Sequence, residues 1–346
     1  MPRRALPLSV LVALAAAAPA GAQSAPTPST PVPPSTTAPS TTTPPAPAPA
    51  PAPVPAAGRL GIALEKVNGA SRAVLSGDRF RVRGTVTPFV AGQQVVVRVY
   101  RGEKKLSSRQ VTVRPTSTGR TGTFVVSVTG GKPGHLVVRA SHRATPALAT
   151  LVAKAQGVDV LPLRAAPGAK GLAVRVLQTR LKALGYVIGA KGLYDARTAR
   201  AVLAFRKITG MARTQLASED VFRKLAHGAG AFKVRYPKQG HHVEADLSLQ
   251  VMALINGGKV ERIYPISSGK PSTPTVLGTF KVYLKTPGTN AKGMVYTSYF
   301  HGGYGIHGYA EVPVFAASHG CLRTPVPDAV SIFSWIRYGD DVDIYP

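Results

Sequence analysis

The stretch GYGIHGYAEVPVFAASHGCLRTP, residues 303–325, contains the only cysteine of this 346-residue chain, Cys321. A cysteine attacks a carbonyl carbon as its thiolate, so a neighbouring group has to hold or accept its proton. Histidine titrates near neutrality and is the usual partner, and His307 and His319 both lie close in the sequence. Gly308 and Gly320 follow them, and glycine lets backbone N–H groups approach a substrate oxygen. The stretch therefore predicts a cysteine–histidine site for acyl transfer.

The sequence around this site predicts a compact β-rich domain over residues 231–346. In LSLQVMALINGGKVERIYPISSG, residues 247–269, alternating apolar positions precede an Asn-Gly-Gly turn, which indicates a hairpin. LGTFKVYLK, residues 277–285, predicts another strand, and one helix is expected at 328–336 before a terminal strand DVDIY. The remaining ionisable residues are expected to be solvated or to have no specific role: Asp340, Asp341, Asp343, His241 and His242.

Residues 156–228 carry a helical pattern. GLAVRVLQTRLKALGY, residues 171–186, has apolar residues at helical spacing, and DARTARAVLAFRKITG predicts a second helix with Asp195 as its N-cap and Gly210 at its end. This region resembles the three-helix peptidoglycan-binding domain. The positions that match the pattern of that family are Leu177, Gln178, Leu181, Leu184, Gly185, Tyr186, Gly192, Tyr194, Thr198, Ala201, Val202 and Phe205.

Residues 58–155 alternate with period two. DRFRVRGTVTP, QQVVVRVYRGEKKL and TFVVSVTGGKPGHLVVRASH each read as strands separated by Gly- and Pro-containing turns. Strands at this spacing predict a small antiparallel β-sandwich. The pattern resembles bacterial immunoglobulin-like wall modules and contains no catalytic constellation, so a spacer or docking domain is expected.

The first residues predict export. Two arginines, an apolar run and the small residues Ala20-Gly21-Ala22 are typical of a signal peptide at 1–22. The apolar run is shorter than the roughly 20 residues that a spanning helix needs, and no transmembrane segment is expected in the mature chain. Residues 23–57 are almost entirely Pro, Ala, Ser and Thr, a composition that cannot bury a core and predicts a disordered linker.

The charge balance predicts an anionic partner. Lys and Arg number 43 against 15 Asp and Glu, a formal net charge of +28. For an exported protein, the partner would be a wall polymer rich in phosphate or carboxylate, or a lipid headgroup; a basic surface that is merely solvated is the alternative. The sequence lacks the zinc-finger spacing and the aromatic signature of RNA-binding domains, so nucleic acid is not expected as a partner.

HGYAEVPVFAASHGCLR, residues 307–323, resembles the active-site signature of the YkuD-type L,D-transpeptidases, in which a His-Gly precedes a Ser/Thr-His-Gly-Cys segment. STPTVLGTFKVYLK is similar to the T-P-x-G-T-F motif of that family, with Val276-Leu277 in place of a single residue. The resemblance implies Cys321 as the acylated nucleophile and His307 as the general base, oriented by the Gly308 carbonyl.

The same resemblance implies roles for the flanking residues. His319, with the backbone N–H groups of Gly320 and Cys321, would shape the oxyanion pocket. Ser318 and Arg323 match the flanks of the signature and would contact substrate. The tyrosine that completes the oxyanion site is left open, and the candidates are Tyr296, Tyr299 and Tyr304, of which Tyr304 is taken as a substrate-binding residue. The span between the two histidines is short, which trims the loop over the site.

The resemblance also implies the reaction. The thiolate would attack the third residue of a tetrapeptide stem of peptidoglycan, expel terminal D-alanine and leave a thioester. A neighbouring stem amine would resolve it into a 3→3 cross-link; water would make the enzyme an L,D-carboxypeptidase, and a protein amine would make it a protein-to-wall ligase. Acylation by carbapenem-type β-lactams is implied as well, and no cofactor is expected.

Two rival interpretations remain. His301, His307, His319 and Cys321 are chemically suitable zinc ligands, but their spacing fits no common zinc motif, so no metal is expected. A nonenzymatic wall-binding protein would suit the accessory domains, the linker and the basic charge, but it would make the histidine–cysteine signature accidental.

Overall fold

The computed structural model describes residues 54–70 and 72–346. The predicted signal peptide at 1–22 and residues 23–53 of the linker predicted at 23–57 lie outside the described residues. The linker prediction is wrong at Ala56, which forms a β-bridge with Leu148. The described part of the chain runs from a mostly β region through three helices to a second β-rich region.

The N-terminal region consists of two sheets. Its strands are β1 Arg59–Leu64, β2 Ala73–Leu75, β3 Arg79–Thr87, β4 Gln94–Arg101, β5 Lys104–Thr112, β6 Arg114–Pro115, β7 Gly122–Thr129, β8 Gly134–His142, β9 Leu151–Val152 and β10 Gln156–Leu161. One sheet has the order β1-β3-β7-β6, and the other has the order β2-β10-β8-β4-β5 with β9 paired to β8.

Alternation along these strands builds one apolar core between the sheets. In β3 every second side chain is buried, so Phe80 and Val82 share a cluster with Val97 and Val99 of β4. Strand β10 pairs with β8 and β2, and its Val160 is buried in the same cluster. The sheet therefore continues beyond the predicted domain end at residue 155.

Three helices follow, α1 Leu172–Ala183, α2 Ala196–Ile208 and α3 Glu219–Ala226. The predicted N-cap of α2 is confirmed, since the Asp195 side chain accepts the Thr198 N–H at 2.8 Å. The helix ends before Gly210, whose φ of 66° lies in the left-handed region that favours glycine. Leu177 of α1 and Phe205 of α2 are fully buried and belong to one apolar cluster.

The C-terminal region contains two sheets and one helix. Its elements are β11 His241–Asp246, β12 Val251–Asn256, β13 Lys259–Pro265, β14 Gly278–Lys281, β15 Leu284–Thr289, β16 Val295–His301, β17 Tyr304–Tyr309, β18 Leu322–Pro325, α4 Val326–Trp335 and β19 Asp341–Tyr345. The sheet orders are β13-β12-β11-β19-β14 and β15-β16-β17-β18. Helix α4 begins two residues before the predicted start at 328, with a proline in its first turn, where the missing N–H costs nothing.

The three helices and the C-terminal region share a core. Val251, Ala253 and Ile263 of strands β12 and β13 are buried in the same cluster as Leu177 and Phe205 of the helices. The helical domain is therefore packed onto one face of the β13-β12-β11-β19-β14 sheet by buried apolar contacts rather than tethered beside it.

The expectation of a solvated carboxylate cluster near the C-terminus is wrong for two residues. Asp340 is 8% exposed and pairs with His241 at 2.8 Å, while Asp343 is 1% exposed and accepts the Thr279 hydroxyl at 2.6 Å. His242, expected to have no specific role, is fully buried and contacts a carboxylate. The reason is topological, because β19 lies between β11 and β14 inside the sheet.

No helix within residues 54–70 and 72–346 combines the length and the apolar run that crossing a membrane requires.

Candidate active site

Strands β17 and β18 bring the two predicted catalytic side chains to one face of their sheet. They pair in parallel, with His307 opposite Arg323 and Ile306 opposite Leu322. Cys321 immediately precedes β18, two residues before Arg323, and side chains alternate along a strand. Cys321, Arg323 and His307 therefore share one face, while Ile306 and Leu322 enter the apolar core on the other.

His307 is held as a neutral imidazole. It is 4% exposed, and its Nδ1 lies 2.9 Å from the carbonyl oxygen of Gly308. Because a carbonyl only accepts hydrogen bonds, Nδ1 carries the proton and Nε2 carries the lone pair. Burial lowers the pKa of His307, the charge of Arg323 lowers it further, and the bond to Gly308 opposes both. Nε2 is thus available as a base at neutral pH.

Cys321 is a partly exposed thiol whose sulfur donates to the carbonyl of Gly303 at 3.6 Å. Burial raises the pKa of Cys321, against the opposing effects of a backbone hydrogen bond from Gly305 and the charges of Arg323 and Lys292. Burial thus disfavours both ionised forms of the pair. Both shifts favour a neutral thiol beside a neutral imidazole in the resting site.

Residues 310–321, here called the cysteine loop, are braced internally by Ser318. Its hydroxyl donates to the carbonyl of Cys321 at 2.6 Å and accepts the N–H of Gly320 at 3.0 Å. Ser318 is only 1% exposed, so the substrate contact expected of it does not fit its position, and it shapes the loop instead. The Gly320 N–H, expected in the oxyanion pocket, is occupied by this hydroxyl.

Gly320 has no alternative at its position. Its φ is 117°, and a Cβ added there would lie 1.8 Å from the ring of Tyr304. Tyr304 is therefore packed directly on the glycine that precedes Cys321. Of the other two tyrosine candidates, Tyr296 stands edge-on to Phe333, and the Tyr299 hydroxyl lies 3.5 Å from the side-chain amide of Asn290.

The remaining predicted site residues lie around this pair. The exposed ring of His319 directs Nε2 to the ammonium group of Lys270 at 3.4 Å, at the rim of the cysteine loop. The guanidinium of Arg323 lies 4.1 Å over the ring of Tyr309, which stands edge-on to His307 with ring centroids 5.7 Å apart. Arg323 thus acts on the histidine through its charge and through the tyrosine packed between them.

Comparisons with known proteins give the family of the chain. The family model YkuD, described as the L,D-transpeptidase catalytic domain, matches residues 240–344, and a peptidoglycan binding domain model matches residues 170–225. The crystal structure of an L,D-transpeptidase from Xylanimonas cellulosilytica DSM 15894 is 30% identical, with 54% of this chain and 98% of that chain covered and a TM-score of 0.49. The chain belongs to the L,D-transpeptidase family. Both families predicted from the sequence for these regions are confirmed.

Two solution structures of an Enterococcus faecium L,D-transpeptidase are also similar to this L,D-transpeptidase. The catalytic domain is 31% identical, with 31% of this chain and 98% of that chain covered and a TM-score of 0.28. The same domain acylated by ertapenem has the same identity and coverage and a TM-score of 0.27. A search of curated proteins gives no match.

Sequence reasoning missed the outer braces of the cysteine loop of this L,D-transpeptidase. The Thr275 hydroxyl donates to the carbonyl of Gly320 at 2.8 Å, and the Thr273 hydroxyl donates to that of Ser318 at 3.1 Å. Both threonines lie in the STPTVLGTF segment, so the motif contained the signal. Ser268 accepts two N–H groups of the loop on its carbonyl, and no motif pointed to it.

The zinc candidates do not converge. Within residues 54–70 and 72–346 no three His, Cys, Asp or Glu side chains group closely enough to hold a metal ion. The ring of His301 lies 4.9 Å from that of Phe280 at an interplanar angle of 50°, while His319 lies near Lys270.

Proposed function

We propose that Cys321 is the nucleophile and His307 the general base of an L,D-transpeptidase. The observation that carries the proposal is the bond of His307 Nδ1 to Gly308 at 2.9 Å, which leaves the lone pair of a neutral imidazole on Nε2. The parallel pairing of β17 and β18 supports it, because it sets thiol and imidazole on one sheet face. A neutral base beside a neutral thiol takes the sulfur's proton as the sulfur attacks.

The proposed substrate is a peptidoglycan tetrapeptide stem. Sγ bonds to the carbonyl carbon of the third residue while the thiol proton passes to His307 Nε2. The C–N bond to terminal D-alanine then breaks, and its nitrogen takes that proton, which leaves a thioester on Cys321. A side-chain amine of a second stem attacks the thioester and gives a proton to Nε2. The sulfur leaves and recovers it, and a 3→3 cross-link has formed.

The oxyanion of each tetrahedral intermediate needs donors. The Gly320 N–H is committed to Ser318, so we assign this role to the backbone N–H of Cys321 together with the hydroxyl of Tyr304, whose ring packs on Gly320. His319 and Lys270 lie at the rim, where they would meet the carboxylate-bearing part of a stem peptide.

Membership in a family that acts on the cell wall supports work outside the cytoplasmic membrane, in line with the export signal predicted at 1–22. The acceptor sets the outcome of the second step: a stem amine gives transpeptidation, water gives L,D-carboxypeptidation, and a protein amine gives ligation to the wall. Mass spectrometry of muropeptides made by the wild type and by Cys321→Ala separates cross-linking from hydrolysis.

Covalent labelling tests the nucleophile. Wild-type protein incubated with a carbapenem should gain one equivalent in its intact mass, and Cys321→Ala should gain none. His307→Gln should label far more slowly, whereas His227→Gln, an exposed histidine directly after α3, should label like the wild type. Labelling of Cys321→Ala would exclude Cys321 as the nucleophile, and loss of wild-type activity in a chelator would favour the zinc interpretation.

We further propose that the two-sheet N-terminal region is an immunoglobulin-like wall module that contacts anionic wall polymer. In β3 the residues that alternate with the buried ones are exposed, and Arg79, Arg81 and Arg83 form a row on one sheet face, in which Arg83 pairs with Glu65 at 2.8 Å. Such a row favours a polymer of repeating negative charge. Retention of the protein on isolated walls should fall with added salt and in the double variant Arg79→Gln/Arg81→Gln; equal retention would leave the region as a spacer.

A further inference from the structure

Lys207 carries a buried amine that the proposed mechanism does not use. It lies in the last turn of α2, in the helical domain, and is 3% exposed. Its Nζ donates to the carbonyl of Gln250 at 2.9 Å and to that of Ile266 at 3.2 Å, both in the catalytic domain. These carbonyls are its only hydrogen-bond partners among the described residues. Burying an amine that has no carboxylate partner costs free energy, so the presence of a lysine at this position needs an explanation.

The two carbonyls belong to the segment that supports the cysteine loop. The Gln250 carbonyl also accepts the N–H of Ile266 at 3.0 Å, which ties the two acceptors together. The Gln250 side chain forms a double bridge to Ser268: Nε2 donates to the Ser268 hydroxyl at 2.6 Å, and Oε1 accepts the Ser268 N–H at 2.9 Å. Gln250 has a φ of 57°, an uncommon conformation for a residue with a side chain. Its surroundings therefore have to hold it in place.

Ser268 continues the route to the nucleophile. Its carbonyl accepts the N–H groups of Ala317 and Ser318, both at 2.9 Å. Ser318 in turn bonds the N–H of Gly320 and the carbonyl of Cys321. An unbroken series of hydrogen bonds thus leads from the helical domain to the backbone of Cys321.

A second basic side chain of the helical domain, that of Arg213, contacts the same loop. Arg213 donates to the carbonyl of Val314 at 2.9 Å and to that of Ser248 at 2.8 Å. Arg213 is exposed, so water competes for these bonds. Lys207 is shielded from water, and its bonds are the stronger of the two links.

We propose that Lys207 is a positioning residue for Cys321, through Gln250, Ser268 and the cysteine loop. The inference rests on the proposed function, because it concerns the placement of the proposed nucleophile. The helical domain, whose family match is to peptidoglycan binding, would then also set the geometry of the thiol. Small displacements of a nucleophile are costly, because attack needs the reacting atoms near 3–3.5 Å and aligned.

The test measures the rate at which a carbapenem acylates full-length variants, by stopped-flow mixing over a range of carbapenem concentrations. Lys207→Met keeps the apolar stem and removes the donor, and it should lower the saturating acylation rate by about tenfold or more, because the displaced thiol loses its attack geometry. The half-saturating concentration should change much less, because the rim that meets the ligand is untouched. The matched control is Arg197→Met, which removes an ion pair between the helical domain and Asp328 without touching the cysteine loop. It should lower the thermal midpoint and leave the saturating rate within about twofold.

Ser268→Ala gives a second, independent reading. It removes the hydroxyl that Gln250 Nε2 contacts and leaves Lys207 and the apolar core in place, so the fold should survive, and the saturating rate should again fall. If Lys207→Met does not fold, this variant decides. Wild-type saturating rates in Lys207→Met or in folded Ser268→Ala would overturn the inference. A wild type that is never acylated would instead contradict the proposed function itself.

Discussion

Burial shifts the pKa values of Cys321 and His307 in opposite directions, because a thiol ionises to an anion and an imidazole to a cation. Burial raises the pKa of the Cys321 thiol and lowers that of the His307 imidazole, so each favours its neutral form. In the proposed mechanism, proton transfer from sulfur to Nε2 therefore accompanies attack on the carbonyl rather than preceding it. A thiol that stays protonated at rest is also slower to be oxidised.

The pH dependence of acylation should follow from these shifts. The base must be unprotonated, and its pKa is lowered, so the rate should fall only as the pH drops through a value below the ordinary histidine pKa of about 6.5. Arg323→Gln removes a charge that lowers this pKa, so its acid limb should move to higher pH. The measurement is the second-order rate of carbapenem acylation from pH 4 to 8. Arg164→Gln, an exposed arginine of the helical domain, is the control; an unchanged acid limb in Arg323→Gln would contradict the assignment.

At the scale of elements, the sequence predicted the features that depend on contacts between residues close together in the chain. Asp195 caps α2 because its acceptor reaches an N–H three residues ahead, and that spacing is visible in the sequence. The alternation in β3 likewise predicts its buried face. In the site, the resemblance to the YkuD family implied the pairing of His307 Nδ1 with the Gly308 carbonyl, and that contact joins two neighbours in the sequence.

Contacts between distant segments were not predictable in this way. Asp343 is buried because its partner Thr279 comes from another strand of the sheet, and a pattern of alternating aspartates carries no trace of that partner. The Gly320 N–H is occupied by Ser318 because the loop turns back on itself, whereas the motif alone left it free for substrate. The sequence did not distinguish Lys207 from the other lysines of this basic chain, because only the packing brings its amine to the Gln250 carbonyl.

Helix α4, which follows the strand after Cys321, depends on a buried carboxylate. The Asp328 side chain is 3% exposed and pairs with Arg197 at 2.8 Å and with Arg200 at 3.0 Å, both on α2. Asp328→Ala should destabilise the protein by about 2 kcal/mol, less than for a fully buried pair, since both arginines retain some contact with water. Urea unfolding followed by tryptophan fluorescence measures this, because the single tryptophan lies in α4. Asp220→Ala, an exposed carboxylate of α3, should change the midpoint little; equal effects of the two variants would contradict a role for the ion pairs.

At the scale of the whole molecule, the helical and catalytic domains behave as one body. Domains in one chain usually move relative to each other when their interface is small and polar. Here apolar residues of α1, α2, β12 and β13 share one buried cluster, and Lys207 crosses the same interface. Wall binding by the helical domain would therefore fix the orientation of the thiol relative to the glycan, since no hinge separates their cores.

Lys207 should also leave a signature in the stability of the whole molecule. Burial, helped by the charge of Arg213, lowers the pKa of Lys207 to about 7, whereas an unfolded lysine titrates near about 10.4. Between these values the unfolded chain binds the extra proton, so this residue makes stability rise with pH, by at most about 1.4 kcal/mol per pH unit. Its neutral amine still has two hydrogens for its two carbonyl acceptors, so the link to the cysteine loop persists in that range.

The difference in urea midpoint between the wild type and Lys207→Met isolates this contribution. The urea midpoint of the wild type should rise relative to that of the variant as the pH rises from 7 to 9, because only the wild type must lose a proton to fold. Lys224→Met, an exposed lysine of α3, should follow the wild type in parallel at every pH. If the curves of wild type and Lys207→Met were parallel as well, the amine would fold without losing its proton, and the two carbonyls would be stabilising an ammonium ion in the interface.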